Sequence, residues 1–388
     1  MRILMSSTAE AGHLRPMLPF ARACVAAGHE VQVATPRSAA HLVKDAGLGL
    51  WECDDIAPDV LAPFHDAIAR EPGRIREIMV RQVWGDVAAR AFLPGVLAAI
   101  DAWQPDVIFR DAVEFASAVA ADLRSVPHVQ MLHSRTGILL SVRDEAAGAV
   151  SRLRESVGLP PDPEGHCLRT PCLTRLPEFL DEPYTAAPAE IHRFRTAGAG
   201  AVAENLPQWW TNGEDPLVYV TFGTVLMRDA VHRARLRAIV EAVADLPVRL
   251  LVTYGGNPDE QAWPALPPNA HVVDWVLQEQ VLREATAVIH HGGMGNVMEV
   301  LSAGLPSVIV PHGGDAPGNA TGVASTGAGL SVDPGTDAPF DAAPVRAALV
   351  RVLSEPAFAA AARRTAASLD ALPPIEEAVT VFEKARLA

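Results

Sequence analysis

Along the chain, short dense apolar runs alternate with stretches whose apolar positions recur at helical spacing. Met1–Ser6 reads as a strand. Leu14, Met17, Leu18, Ala21, Cys24 and Val25 then keep a helical period that Gly28 ends, and Glu30–Ala34 resumes as a strand. Pro16 suits a first helical turn while Pro19 does not, so this helix is expected to start irregularly. Strand, turn, helix and parallel return make one βαβ unit. A second follows, with a long helical pattern from about Arg74 to Ala102, a strand over Asp106–Phe109, a helix near Phe115–Leu123 and a strand over His128–Leu132. Residues 135–190 carry more proline and charge and less period, and read as loops and short helices over the mouth of this half.

The alternation breaks near Ala197–Pro216, where small, polar and proline residues gather as in a linker. It restarts with strands over Leu217–Thr221, Arg249–Tyr254, His271–Val273, Ala287–His290 and Val308–Val310, and helices over Ala230–Ala244 and Asn296–Ala303. Two such halves predict an α/β protein of two doubly wound domains facing one another, with ligands beyond the carboxyl ends of the strands. The domains are placed at residues 1–205 and 216–374. A length of 388 residues also favours two cores over one.

Composition narrows the function. Hydrophobic residues make up 49%, enough for two buried sheets, and 32 basic against 46 acidic side chains leave a net charge of −14. That balance argues against nucleic acid and anionic membrane surfaces as partners. No apolar run is read as long enough to span a bilayer, and Met1–Met5 lacks the features of a secretory leader. Cys24, Cys53, Cys167 and Cys172 fit no zinc or redox spacing, so reduced thiols in a cytoplasmic protein are expected.

The strongest chemical signal is the run from His290 to Glu299. An apolar strand ends in a histidine pair, passes Gly292, Gly293 and Gly295, and opens a helix at about Asn296. Glycines let backbone amides approach a ligand, and a helix N-terminus favours negative charge, so an anion such as a diphosphate fits; a purely structural glycine turn fits the same pattern. The run is neither a Walker A loop nor a GxGxxG fingerprint. The histidine pair has no third ligand at a fitting spacing, and no metal is expected. Other strand ends point to the same place. Gly223 and Thr224 can offer an amide and a hydroxyl to an anion, or form a simple turn. Trp275 can stack on a nucleobase and Gln278 bond to it, or Trp275 can be a core residue. Asp315 can meet sugar hydroxyls, or lie in a solvated loop. In the first half His13 follows the first strand and Asp111 the Asp106–Phe109 strand. An imidazole there can take a hydroxyl proton while the carboxylate fixes its tautomer, although a lone histidine is often structural.

Taken together, Gly12-His-Leu-Arg-Pro, Gly28-His-Glu-Val, Val218-Tyr-Val-Thr-Phe-Gly-Thr, Asp274-Trp-Val-Leu-Gln, His290-His-Gly-Gly-Met-Gly, Glu299-Val-Leu-Ser-Ala-Gly-Leu-Pro and Gly314-Asp resemble glycosyltransferase family 1 over essentially the whole chain. The likeness is strongest to its actinobacterial branch, which decorates macrolides, enediynes and other natural products, and it is most specific over residues 272–330. The resemblance implies the GT-B fold of two Rossmann-like domains, an inverting transfer without metal or cofactor, and a last helix, within residues 375–388, returning to the N-terminal domain. It implies a dTDP- or UDP-sugar donor and a small apolar acceptor hydroxyl; a homodimer is compatible with it.

Residue by residue, it implies that His13 is the catalytic base and Asp111 its partner. Trp275 and Gln278 would hold the base or ribose, His291 and Gly293 the diphosphate with Gly223 and Thr224 opposite, Glu299 the ribose, and Asp315 the donor sugar. Ala316 stands where the family usually has Gln, which favours a deoxysugar. Asn296 replaces the common Thr or Ser, and Leu277 the usual Pro. Phe64, Met79, Trp84 and His133 are candidates for the acceptor pocket, with core packing an equal explanation for the apolar ones. The rival readings are another GT-B enzyme, such as a nucleotide-sugar epimerase, and a non-catalytic donor-binding partner protein.

Overall fold

The computed structural model describes residues 1–181, 190–195, 213–227, 229–255, 266–333, 335 and 340–387. The side chains of Pro72, Thr224 and Val225 lie outside that description, as does most of the expected linker. The chain divides into two compact units, Met1–Ala197 with Pro373–Ala388, and Gly198–Leu372.

The first unit holds a seven-stranded parallel sheet made of β1 (Arg2–Ser6), β2 (Glu30–Pro36), β3 (Gly49–Cys53), β4 (Val107–Asp111), β5 (His128–Leu132), β6 (Cys172–Thr174) and β7 (Ile191–Arg193). Its spatial order is β3-β2-β1-β4-β5-β6-β7. Central strands in such a sheet are covered on both faces, which is why they are apolar throughout rather than alternating. In β1, Leu4 joins the core on one face, while Ile3 and Met5 join the core on the other.

The helix after β1 begins irregularly, as its two prolines require: Ala11–Leu14 is α-helical, Arg15–Met17 is 3₁₀, and Leu18–Ala26 is α-helical again. The long pattern after Arg74 is one continuous helical run with a π-helical stretch, Ile78–Ala88, inside it. At 29 residues, Ile75–Trp103 is long and apolar enough to cross a bilayer by length and composition, contrary to the expectation that no run is. Its apolar face, including Val80, Phe92, Leu93, Val96 and Ile100, packs into the core of this unit.

Residues 135–190 also depart from expectation, because they contain a 21-residue helix, Thr136–Ser156. Leu139, Val142, Ala146, Val150 and Leu153 form its buried stripe. Arg143, Asp144, Glu145, Arg152 and Glu155, interleaved with the stripe, mask its period in the sequence.

The second unit holds a six-stranded parallel sheet of β8 (Leu217–Thr221), β9 (Arg249–Thr253), β10 (Ala270–Val273), β11 (Ala287–His290), β12 (Ser307–Ile309) and β13 (Gly329–Ser331). Its order, β10-β9-β8-β11-β12-β13, repeats the winding of the first sheet.

The chain's last segment belongs to the first unit. Ile375, Ala378, Val379, Val381 and Phe382 enter the core on the Ile3–Met5 face, and the Phe382 ring meets Phe109 edge-on at 5.2 Å. Emptying that space by Phe382→Ala should destabilise the first unit by about 3–5 kcal/mol, read as an earlier urea transition of that unit. An unchanged transition would mean that the segment does not pack there.

Candidate active site

Each sheet reverses its winding once, between β1 and β4 in the first unit and between β8 and β11 in the second. At such a switch point neighbouring connections depart to opposite faces and leave a crevice at the carboxyl edge.

In the first unit, the chain leaving β1 enters the short helix that carries His13, and β4 ends in Asp111. Asp111 is therefore the last residue of its strand rather than one just past it. It is fully buried, whereas the His13 side chain is 17% exposed. His13 Nδ1 lies 2.9 Å from Asp111 Oδ2. An ionised carboxylate can only accept, so the hydrogen sits on Nδ1 and Nε2 keeps its lone pair. Thr8 Oγ1 donates to the same oxygen at 3.3 Å, and the Val113 amide donates to Oδ1 at 3.3 Å. Burial alone would raise the Asp111 pKa, but the imidazoles of His13 and His133 override it and hold the carboxyl well below the usual range.

His133 follows β5, with Nδ1 3.1 Å from Asp111 Oδ1. The approach is bent away from hydrogen-bond alignment, and the contact acts through proximity of ring and carboxylate. The His13 and His133 rings lie 4.0 Å apart at a tilt of 38°. Trp84, on the π-helical stretch, reaches His13 with a centroid distance of 6.0 Å. Wide helical turns of this kind recur at functional sites. Phe64 and Met79 are half-buried on the helices Pro58–Arg70 and Ile78–Ala88. Ligand atoms of His13, Asp111 and His133 fall within 4.8 Å of one another, close enough for a metal ion, and both imidazoles face the carboxylate directly.

In the second unit, β11 ends at His290, and the helix Met294–Ser302 opens after two glycines. Gly292 has φ +86°, donates its amide to His290 Nδ1 at 3.2 Å, and accepts at its carbonyl from Asn319 Nδ2 at 2.9 Å. Gly293 caps the helix without a side-chain bond, so the amides of the first turn are open to an anion. A Cβ on Gly293 would collide with the His291 ring, and one on Gly223 would stand 3.1 Å from His291 Cε1. The ring is thus seated between two glycines; a side chain at position 293 would displace it, and one at 223 would crowd it. Asn296 Nδ2 lies 3.4 Å from His291 Nδ1 and points the lone pair of that ring toward itself, leaving the hydrogen on Nε2. Burial first, then His232, pushes His291 down to about 4, while Asp315 opposes this.

The other candidates lie on neighbouring strand ends. Gly295 and Glu299 are exposed on the Met294–Ser302 helix, and Asp315 is half-buried at the N-terminus of Ala316–Thr326. Trp275 follows β10 and is 61% exposed, which excludes a core role. Gln278 opens the helix Gln278–Glu284 with its Nε2 buried and unaligned with any acceptor. Sequence reasoning missed a group behind His291. His312 lies 2.9 Å from Arg235 Nη1 and 4.7 Å, ring to ring, from His232. His312 has the same strand-end placement as the residues that were singled out, whereas His232 and Arg235 stand on a helix without any local signal.

Two imidazoles are buried, His128 beside Arg110 and His290 in the glycine turn, and both are pushed down to about 3, chiefly by burial. The unfolded chain binds protons there that the folded chain does not, so the stabilisation is complete above the ordinary pKa of about 6.5 and is lost as the pH falls toward 3. Lowering the pH from 7 to 5 should cost each site about 2 kcal/mol. Urea unfolding at the two pH values measures this; pH-independent stability in that window would contradict it.

Comparison with known proteins adds to this geometry. Residues 237–384 match the family "Erythromycin biosynthesis protein CIII-like, C-terminal domain". Over 386 residues the chain is 31% identical to L-demethylnoviosyl transferase of Streptomyces niveus, covering 94% of this chain and 93% of that one. It is also 31% identical over 392 residues to the elloramycin glycosyltransferase ElmGT of Streptomyces olivaceus, covering 96% and 94%. The crystal structure of the glycosyltransferase VinC in complex with dTDP superposes with a TM-score of 0.78 at 25% identity, covering 100% and 99%. With that full-length similarity and its two parallel-sheet units, the chain belongs to the family of GT-B glycosyltransferases that act on natural products.

Proposed function

We propose that this glycosyltransferase inverts the anomeric centre without a metal, moving a deoxysugar from a dTDP- or UDP-sugar to a hydroxyl of a small apolar natural product in the cytoplasm. The observation that carries this reading is the 2.9 Å contact between His13 Nδ1 and the buried Asp111 carboxylate, which leaves a basic lone pair on Nε2. In this reading the acceptor hydroxyl gives its proton to Nε2 as its oxygen attacks the anomeric carbon from the face opposite the diphosphate. Asp111 stays ionised and stabilises the imidazolium that forms.

The donor's diphosphate sits at the open amides of the Met294–Ser302 helix, beside the contact of Gly223 with His291, with Thr224 retained as a candidate from the sequence. The hydrogen on His291 Nε2 and the helix N-terminus stabilise the charge that grows as the diphosphate leaves. Exposed Trp275 supplies a stacking face for the base, with Gln278 beside it, Glu299 bonds the ribose and Asp315 the sugar. Position 316 presents only a buried methyl, which suits a sugar with fewer hydroxyls. The dTDP bound to VinC supports a thymidine donor.

His13→Ala should lower kcat/KM by roughly 10²–10⁴-fold while leaving donor affinity unchanged by calorimetry. A variant with near-normal turnover on a hydroxyl acceptor would remove His13 from the mechanism. Exhaustive dialysis against EDTA should leave the rate of transfer unchanged; a loss restored by a divalent cation would overturn the metal-free reading.

A further inference from the structure

Asp111 is approached at both oxygens. Oδ2 receives His13 and Thr8; Oδ1 receives the Val113 amide and has His133 Nδ1 at 3.1 Å. The His133 side chain is only 10% exposed, and its ring lies 4.0 Å from that of His13. The sheet sets this arrangement, because β4 pairs Asp111 with Met131 on β5, two residues before His133.

Building on the assignment of His13 as the base, we propose that His133 is a positioning residue for the transfer: it holds Asp111 Oδ1, keeps Oδ2 turned toward His13, and backs the His13 ring. A carboxylate released at one oxygen can rotate and carry the base with it, and misplacement on this scale lowers turnover. Removing His133 also leaves the carboxylate charge more concentrated on His13. A proton on His13 is then held more tightly, so the base is blocked at higher pH. Other charged groups on the packed elements are Glu10 and Arg15 beside His13, Arg110 and Glu114 at the end of β4, Arg135 after β5, and Arg81 and Asp86 flanking Trp84. Arg110 donates to the Asp111 carbonyl, and Glu114 accepts from Ser6. All of these are common to every variant below, so differences between variants report on position 133.

The test is the pH profile of His133→Phe, which keeps a ring without a donor, and of His133→Gln, which keeps a neutral donor. The Phe variant should lose about tenfold or more in kcat and move the acid limb of kcat/KM to higher pH, with acceptor KM little changed. The Gln variant should recover most of kcat. Wild-type kcat and acid limb in the Phe variant would overturn the inference, as would a raised acceptor KM with kcat and limb intact, which marks a pocket wall. Gln falling as far as Phe would overturn it too. Leu replaces Phe, on the same criteria, if the Phe variant does not fold. Near-normal transfer by His13→Ala is a separate result that would dismiss the base itself, and this inference with it.

Discussion

A parallel sheet whose winding reverses part-way must send two adjacent connections to opposite faces, and the gap between them is held open by the sheet itself. Both sheets of this chain do this at the same relative place, beside their first strand. In the first unit the two strands flanking the gap deliver His13 and Asp111; in the second they deliver Gly223 and His291. The chemistry of each unit therefore depends on backbone topology before it depends on any side chain.

The side chains then solve two opposite electrostatic problems. Asp111 is a charge taken out of water, which is tolerable because three hydrogen-bond donors and the His133 ring converge on its oxygens. The second unit has the reverse need, a neutral pocket ready for an anion. Burial is the main cause that keeps His290, His291 and His312 uncharged. Open helix amides supply the positive potential without a fixed cation to desolvate. Glycine is required at position 293, where a Cβ would overlap the His291 ring, and at Gly223 the fit against the same ring is tight.

Much of this is legible in the sequence. The strands at and next to the switch points are short apolar runs, with His128–Leu132, Leu217–Thr221 and Ala287–His290 falling within their expected bounds, because doubly covered strands have no polar face to blur the signal. The Thr136–Ser156 helix stays hidden because one buried stripe is diluted by charges on the remaining surface, while β6 and β7 are only three residues long at one edge of the first sheet and β3 forms the other edge. Strand-end logic brings His13 and Asp111 forward. It applies equally to His133, which was read as lining a pocket, since nothing in one dimension reveals which neighbouring strand a side chain leans toward. The group formed by His232, Arg235 and His312 joins a helix to a strand end 77 residues away, from Arg235 to His312, and only tertiary structure assembles it.

The central claim is that Asp111 fixes His13 with its hydrogen on Nδ1 and its lone pair on Nε2. Nitrogen-15 NMR of the imidazoles at neutral pH, with His13→Ala to assign the signals, reads this directly. A protonated Nδ1 and an unprotonated Nε2 are predicted, and the pattern should reverse or average in Asp111→Asn. A His13 carrying its hydrogen on Nε2 in the unaltered protein would leave no base facing the acceptor and would contradict the account.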